Sequence, residues 1–320
     1  MTSLHRASGR WRLGLALSLT TAACWATLPI ALKIVLDVLD PVTLTWFRFL
    51  VAALCTSAWL GLRGGLGGYR ALGRRGWAML LVAAVMLLGN YVFYLLGVQY
   101  TSPGNAQLLI QLAPLLMALG GIFVFRESFG RAQWAGLAVL LVGLGLFFRD
   151  QLTQAGLAAA ADASRDPGAY VFGSLMVLIA ALVWAVYALA QKQLLMKLGS
   201  MQVLLVIYVV ASLVLLPFAR PATLLALDAT HAALLLYCAL NTVGAYGAFA
   251  EALAHWEASR VSAILATTPL LCIAAASVVH ALWPQWLAPE RITVLGWVGA
   301  GLAVAGSAAV SLLGRRAAAR

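Results

Sequence analysis

Three short stretches place uncharged polar and aromatic side chains at helical spacing. Gln107, Gln111 and Pro114 lie four and three residues apart, Asn90 and Tyr94 four apart, and Trp184, Tyr187 and Gln191 three and four apart. Each set therefore falls on one face of a helix. Amides, phenols and indoles in such rows offer hydrogen bonds and flat apolar surface, which is the chemistry of holding a solute rather than of breaking a bond. Trp25 and Tyr246 join them through the internal repeat described below. A plainer reading stands beside this one, because uncharged polar groups in membrane helices also bind neighbouring helices, at about 0.6 kcal/mol each. Glu251 and His255 share a face at four-residue spacing. They read either as a proton-coupling site or as an interfacial salt bridge at the edge of a span.

Other chemistries lack their residues. There is no HExxH for zinc and no Gly-rich phosphate loop, and no GxSxG nucleophile elbow. Cys24, Cys55, Cys238 and Cys272 lie inside apolar runs without metal-ligand spacing. No cofactor or metal is expected. An intramembrane enzyme or a channel-like facilitator of unknown chemistry remains the alternative, although no catalytic pair is nominated and no filter motif or ring of charges is visible.

Membrane helices carry these residues. The chain has 320 residues, 63% hydrophobic and 10% charged, with mean hydropathy +0.96. A soluble domain carries about 25% charged residues, so too little polar sequence exists here to coat a globule. Apolar runs long enough to cross a bilayer place ten spans at 13–33, 43–62, 77–98, 102–125, 131–148, 170–190, 200–218, 231–252, 260–282 and 292–313. The net charge of +11 sits in short linkers, which points to membrane orientation and away from nucleic acid. Alternate linkers hold fifteen basic residues, among them Arg63, Arg70, Arg74 and Arg75, against four, Arg149, Arg165, Arg220 and Arg291. Basic residues of short loops stay in the cytoplasm. Both termini are thus expected in the cytoplasm of a multi-pass inner-membrane protein, with 149–169 a periplasmic linker.

The two halves align with each other. Trp25 and Lys33 match Trp184 and Lys192 at offset 159; Gly89, Tyr91 and Pro114 match Gly244, Tyr246 and Pro269 at offset 155; Glu127, Trp134, Gly136 and Gly143 match Glu290, Trp297, Gly299 and Gly306 at offset 163. Each half has five spans, an odd number, so the second enters the membrane upside down. The expected fold is an all-α membrane protein of ten transmembrane helices in two inverted five-helix repeats, 13–148 and 170–313. Inverted repeats mark secondary transporters, with the solute held near the midplane between them. Trp25, Asn90, Tyr94, Gln107, Gln111, Trp184, Tyr187 and Tyr246 are accordingly the expected substrate-binding residues, and Pro29, Pro114 and Pro269 allow the lining helices to bend. Such a pocket suits an amphipathic metabolite and lacks the basic cluster that a phosphorylated solute needs. Partners are a small-molecule solute, the lipid bilayer and protons; nothing in the residues specifies an oligomeric state.

Charged residues inside or beside spans have structural expectations. Arg48, about five residues inside the second span, is expected to snorkel to the nearby periplasmic surface and pair with Asp37 or Asp40 rather than to touch solute. Lys33 and Lys192, at span ends, are expected to be interfacial anchors. Glu127 and Glu290 open the fifth and tenth spans, where a carboxylate complements the helix dipole.

The series CWATLPIALK, Pro41 with WFRF, GVQYTSPGNAQLLIQLAPLL, RESF and WAGLAVLLVGLGL resembles the drug/metabolite transporter superfamily, and specifically its EamA-type members. The resemblance spans about 13–148 and, with Ile207 in place of an arginine, about 170–312. It implies ten helices, a central cavity between the halves, and export or exchange of small organic solutes such as amino acids, other metabolites and drugs.

Overall fold

The computed structural model describes residues 10–125, 130–161, 166–256 and 258–313. Among these residues the chain is helical, without strands: α1 (Trp11–Val35), α2 (Pro41–Leu62), α3 (Arg74–Tyr100), α4 (Pro103–Leu109), α5 (Leu112–Phe125), α6 (Arg131–Ala161), α7 (Pro167–Leu194), α8 (Ser200–Leu215), α9 (Ala229–His255), α10 (Ala258–Leu265), α11 (Thr268–Leu282) and α12 (Val294–Leu313). Seven of the described helical segments are long and apolar enough to cross a membrane, namely α1, α2, α3, α6, α7, α9 and the run Arg260–Leu282; α8 and α12 are shorter apolar helices. Their outer faces carry Leu54, Leu81, Val85, Val142, Leu182, Leu213 and Val278, all exposed. Apolar surface so continuous belongs against lipid.

Four helices begin in the same way. Asp40 caps α2, accepting from the Val42 and Thr43 amides; Ser102 caps α4, accepting from Asn105; Asp166 caps α7, accepting from Gly168; Asp228 caps α9, accepting from Thr230 and His231. In the first three a proline follows the cap, where its missing N–H costs nothing. All four starts lie at one end of the bundle, here the upper end, with the connections 36–40, 216–228 and 283–293. Lys33 Nζ joins α1 to the end of α3 there, and the Arg220 amide donates to Thr43 Oγ1. At the lower end Tyr69 donates to the Gln202 carbonyl, linking the 63–73 connection to the start of α8.

Packing crosses between the halves. The first helix of each half runs along the third helix of the other, α1 with α9 and α3 with α7, while α2 packs on α8 and α6 on α12. Phe49, Leu80, Leu87, Ile207 and Tyr208 fill one core. Leu32, Val35, Leu44, Leu95 and Val98 fill another. A third lies among Leu108, Leu140, Phe147, Ile273 and Ala303. Against α12, α6 brings backbone to backbone: a Cβ on Gly143 would lie 2.6 Å from the Gly299 carbonyl oxygen, and one on Gly306 would lie 2.6 Å from that of Gly136.

Two spans read as continuous are broken. The fourth parts at Ile110 and Gln111 between α4 and α5; the ninth parts at Ala266 and Thr267 between α10 and α11. Pro114 and Pro269 are the cause, since neither supplies the N–H that the carbonyl four residues back requires. The Ile110 carbonyl instead accepts from the Ala113 amide at 2.9 Å. That of Leu265 accepts from Thr268 Oγ1 at 2.5 Å. A second difference is at 149–169, where α6 continues through Ala161 before α7 starts at Pro167.

Candidate functional site

Aromatic side chains from both halves converge inside the bundle. The Trp25 ring of α1 lies 5.6 Å from Tyr246 and 5.7 Å from Phe249 of α9. On α7, Trp184 lies 6.4 Å from Tyr187 and its indole approaches the Tyr246 hydroxyl. Tyr91 of α3 closes the group, near Thr242 and Tyr246 and 4.6 Å from Phe49. Trp25, Trp184, Tyr187 and Tyr246, separated by up to 221 positions in the chain, thus meet in one cluster. Tyr91 and Phe249 were absent from the sequence-derived set. Both had a signal there: Tyr91 is the repeat mate of Tyr246, and Phe249 follows Tyr246 by three residues on the same helix face.

The polar members do different things. Tyr94 Oη donates to Gln107 Oε1 at 2.9 Å, and both side chains are half-buried. Gln111 Nε2 donates to the Ala266 carbonyl at 3.1 Å. The break in one half is therefore tied to the break in the other. Asn90 is buried and its Nδ2 donates to the Ala180 carbonyl at 2.9 Å, joining α3 to α7.

Arg48 departs from its expectation. Its side chain is 3% exposed and turns into the bundle. Nε donates to Thr242 Oγ1 at 3.2 Å, and the guanidinium carbon sits 4.7 Å from the Tyr91 ring centroid. Neither Asp37 nor Asp40 reaches it: Asp40 is engaged in capping α2. A planar cation that can stack on an aromatic face is stabilised inside the bundle, so it does not snorkel outward.

Two further groups of charges lie at the ends. At the upper end Lys33 Nζ donates to the carbonyls of Val98, Gln99 and Thr101 at 2.9, 2.5 and 2.9 Å, closing the end of α3. Glu290, expected to cap α12, instead reaches across to α4 and accepts from the Gly104 amide at 2.7 Å. A Cβ at position 104 would collide with that carboxylate and with Ile273, so glycine is needed for the approach. Asp150 of α6 takes over the start of α12, accepting from Thr293 Oγ1 at 2.5 Å and from the Thr293 amide at 3.2 Å. Near the lower end His255 and Glu251 are paired at 3.0 Å, with the glutamate exposed. Glu127 lies outside the described residues.

Comparison with known proteins agrees with this architecture. Residues 12–149 and 171–312 each match the EamA-like transporter family. The uncharacterized inner membrane transporter YhbE of Escherichia coli (strain K12) is 37% identical over 305 residues, 95% of this chain and 92% of that protein. An uncharacterized transporter of Haemophilus influenzae is 33% identical over 304 residues, 95% of this chain and 96% of its own. A probable amino-acid metabolite efflux pump of Salmonella typhimurium is 26% identical over 231 residues, 68% of this chain and 71% of the pump. One solved crystal structure superposes with a TM-score of 0.61 over 98% of this chain and 99% of its own at 20% identity, a likeness of fold. With both halves matched and a relative of this similarity along almost its whole length, the chain belongs to the EamA-like transporter family of the drug/metabolite transporter superfamily.

Proposed function

We propose that this chain is a secondary transporter, an exporter or exchanger of small amphipathic metabolites such as amino acids or aromatic compounds. In this reading ten membrane-crossing segments form two inverted five-helix repeats, 13–148 and 170–313, and the solute site between them is reached alternately from each side. One observation carries it: helix breaks at matching places in the two halves meet at the hydrogen bond from Gln111 to the Ala266 carbonyl. Discontinuous helices crossing at the centre of the bundle are where inverted-repeat carriers bind solute. The exchanged packing of α1 on α9 and α3 on α7 is what a two-fold axis in the membrane plane requires. A relative named as a probable amino-acid metabolite efflux pump fits the solute class. The Glu251–His255 pair is the proposed route for coupling protons.

Solute counterflow in proteoliposomes tests the reading. Trp184→Ala and Gln107→Ala are expected to lower exchange of an amphipathic solute by at least about tenfold, since each removes a contact that positions the solute, with membrane expression and melting temperature unchanged. Normal exchange by both variants would remove the site from the cluster. Orientation has its own test. In a cysteine-free background, a membrane-impermeant thiol reagent added outside is expected to label Ala160→Cys and to miss Gly67→Cys. The opposite pattern overturns the placing of both termini in the cytoplasm of an inner-membrane protein.

A further inference from the structure

Arg48 is a full charge roughly 10 Å along α2 from its upper start, and no carboxylate among the described residues is paired with it. A guanidinium offers five N–H donors. Only Nε is taken, by Thr242 Oγ1. No other acceptor among the described residues engages the group, and no carboxylate among them lies within ion-pair distance of it. An arginine held at such depth costs roughly 2.5–3.5 kcal/mol on insertion scales. A purely structural arginine offsets that cost with a permanent anion or a full set of carbonyls. Arg48 has one hydroxyl and one aromatic face instead.

The surroundings say what the unfilled side is suited to. The phenols of Tyr94, Tyr208 and Tyr246 are near enough to feel the charge, and Tyr91 lies against the guanidinium. Tyr246 leads directly to Trp25 and Phe249. One fixed cation beside a wall of aromatic rings matches a solute with one anionic head and an apolar body. A phosphate dianion would call for more than one cation.

We propose that Arg48 receives the carboxylate of the transported solute, which makes aromatic and other amphipathic carboxylates the substrate class. This rests on the reading of the aromatic cluster as the solute site. Tyr91 then acts as a positioning residue, holding the guanidinium plane through the stacked contact while Thr242 fixes its rotation.

Equilibrium binding to purified full-length protein separates this proposal from the transport reading. The probes are 3-phenylpropionate and its uncharged amide, followed by quenching of tryptophan fluorescence and by ligand-induced thermal shift. Wild type is expected to bind the carboxylate at least about tenfold more tightly than the amide, as a charge-assisted hydrogen bond implies. Arg48→Gln is expected to abolish that preference, bringing carboxylate affinity down to about that of the amide. Arg48→Lys, which keeps the charge without the planar fork, retains part of it. If Arg48→Gln fails to fold, the wild-type preference and the Lys variant decide. Equal binding of both probes to wild type, binding of neither, or a preference that survives in Arg48→Gln overturns the proposal. Failed counterflow with the carboxylate preference intact would count against transport and not against Arg48.

Discussion

Replacing Gly143 by leucine is expected to remove folded protein from the membrane, whereas the same change at Gly145 leaves expression and melting temperature near wild type. Both residues lie on α6, two positions apart. A Cβ on Gly143 would stand 2.6 Å from the Gly299 carbonyl oxygen and 2.8 Å from the Leu302 carbonyl carbon; one on Gly145 meets nothing within 4 Å. The obstructing atoms are backbone, so no rotamer change can relieve the overlap, and the helices must separate. Without a hydrophobic drive between helices in lipid, close backbone approach is what holds them. The loss is expected at roughly 3 kcal/mol or more, above the usual range for overpacking. Gly306→Leu, on the facing side of the same contact, should behave like Gly143→Leu. Size-exclusion profiles and thermal melts in detergent supply the comparison. If leucine at 143 and at 145 behaved alike, α6 and α12 would not be in backbone contact.

The glycines show what could be read from residue order. Gly136, Gly143, Gly299 and Gly306 stand out in the sequence as a matched set, because a small residue repeated at seven-residue spacing keeps one helix face flat. The seven long apolar helical segments were legible for the same kind of reason: a bilayer demands apolar length, and length is visible. The breaks at 110–111 and 266–267 were half-legible. Pro114 and Pro269 announce bending, but whether a helix bends or parts depends on what satisfies the freed carbonyls, here Ala113 N–H in one half and Thr268 Oγ1 in the other.

Site residues divided along the same line. Trp25, Trp184, Tyr187 and Tyr246 stand out in the sequence through repeat matches and helical spacing, and their rings lie together in the folded chain. Asn90 shares a helix face with Tyr94, and yet its amide is used on the Ala180 carbonyl of α7; spacing gives a face and not a partner. Arg48 was misread because depth was judged along the sequence, by counting residues from the end of a span. Its side chain instead runs toward Thr242, 194 positions away, and no local pattern carries that contact. Glu290 was placed on the helix it precedes, while its real neighbour is Gly104 on the other half.

Raising the pH from about 5 to about 8 is expected to lower the thermal stability of the wild-type protein through Glu290, and Glu290→Gln is expected to remove that part of the dependence. Glu290 lies in the 283–293 connection, outside the helices. Burial pushes its carboxyl up to about 7 from the usual 4.5, and the effect outweighs the Gly104 amide, the Ser102 hydroxyl and Lys33, all of which favour the charged form. The other titratable groups near it are Tyr170 of α7 and Cys272 of α11, with Asp150 of α6 beyond Tyr170. Because the folded state raises this pKa, it holds the proton more tightly than the unfolded chain does. The resulting stability is fully present below about 4.5, declines as pH rises through about 7, and is gone above that. A shift of this size corresponds to on the order of 3 kcal/mol, or several degrees in melting temperature. Glutamine keeps an oxygen for the Gly104 amide and cannot ionise. Glu290→Gln should therefore melt with a flatter pH profile and at about pH 8 should exceed wild type. The difference between the two profiles, rather than either slope, isolates Glu290. Glu251→Gln, at an exposed carboxylate, serves as the control. Parallel profiles for wild type and Glu290→Gln would mean that Glu290 is ionised throughout and that its burial against Gly104 does not persist in the folded protein.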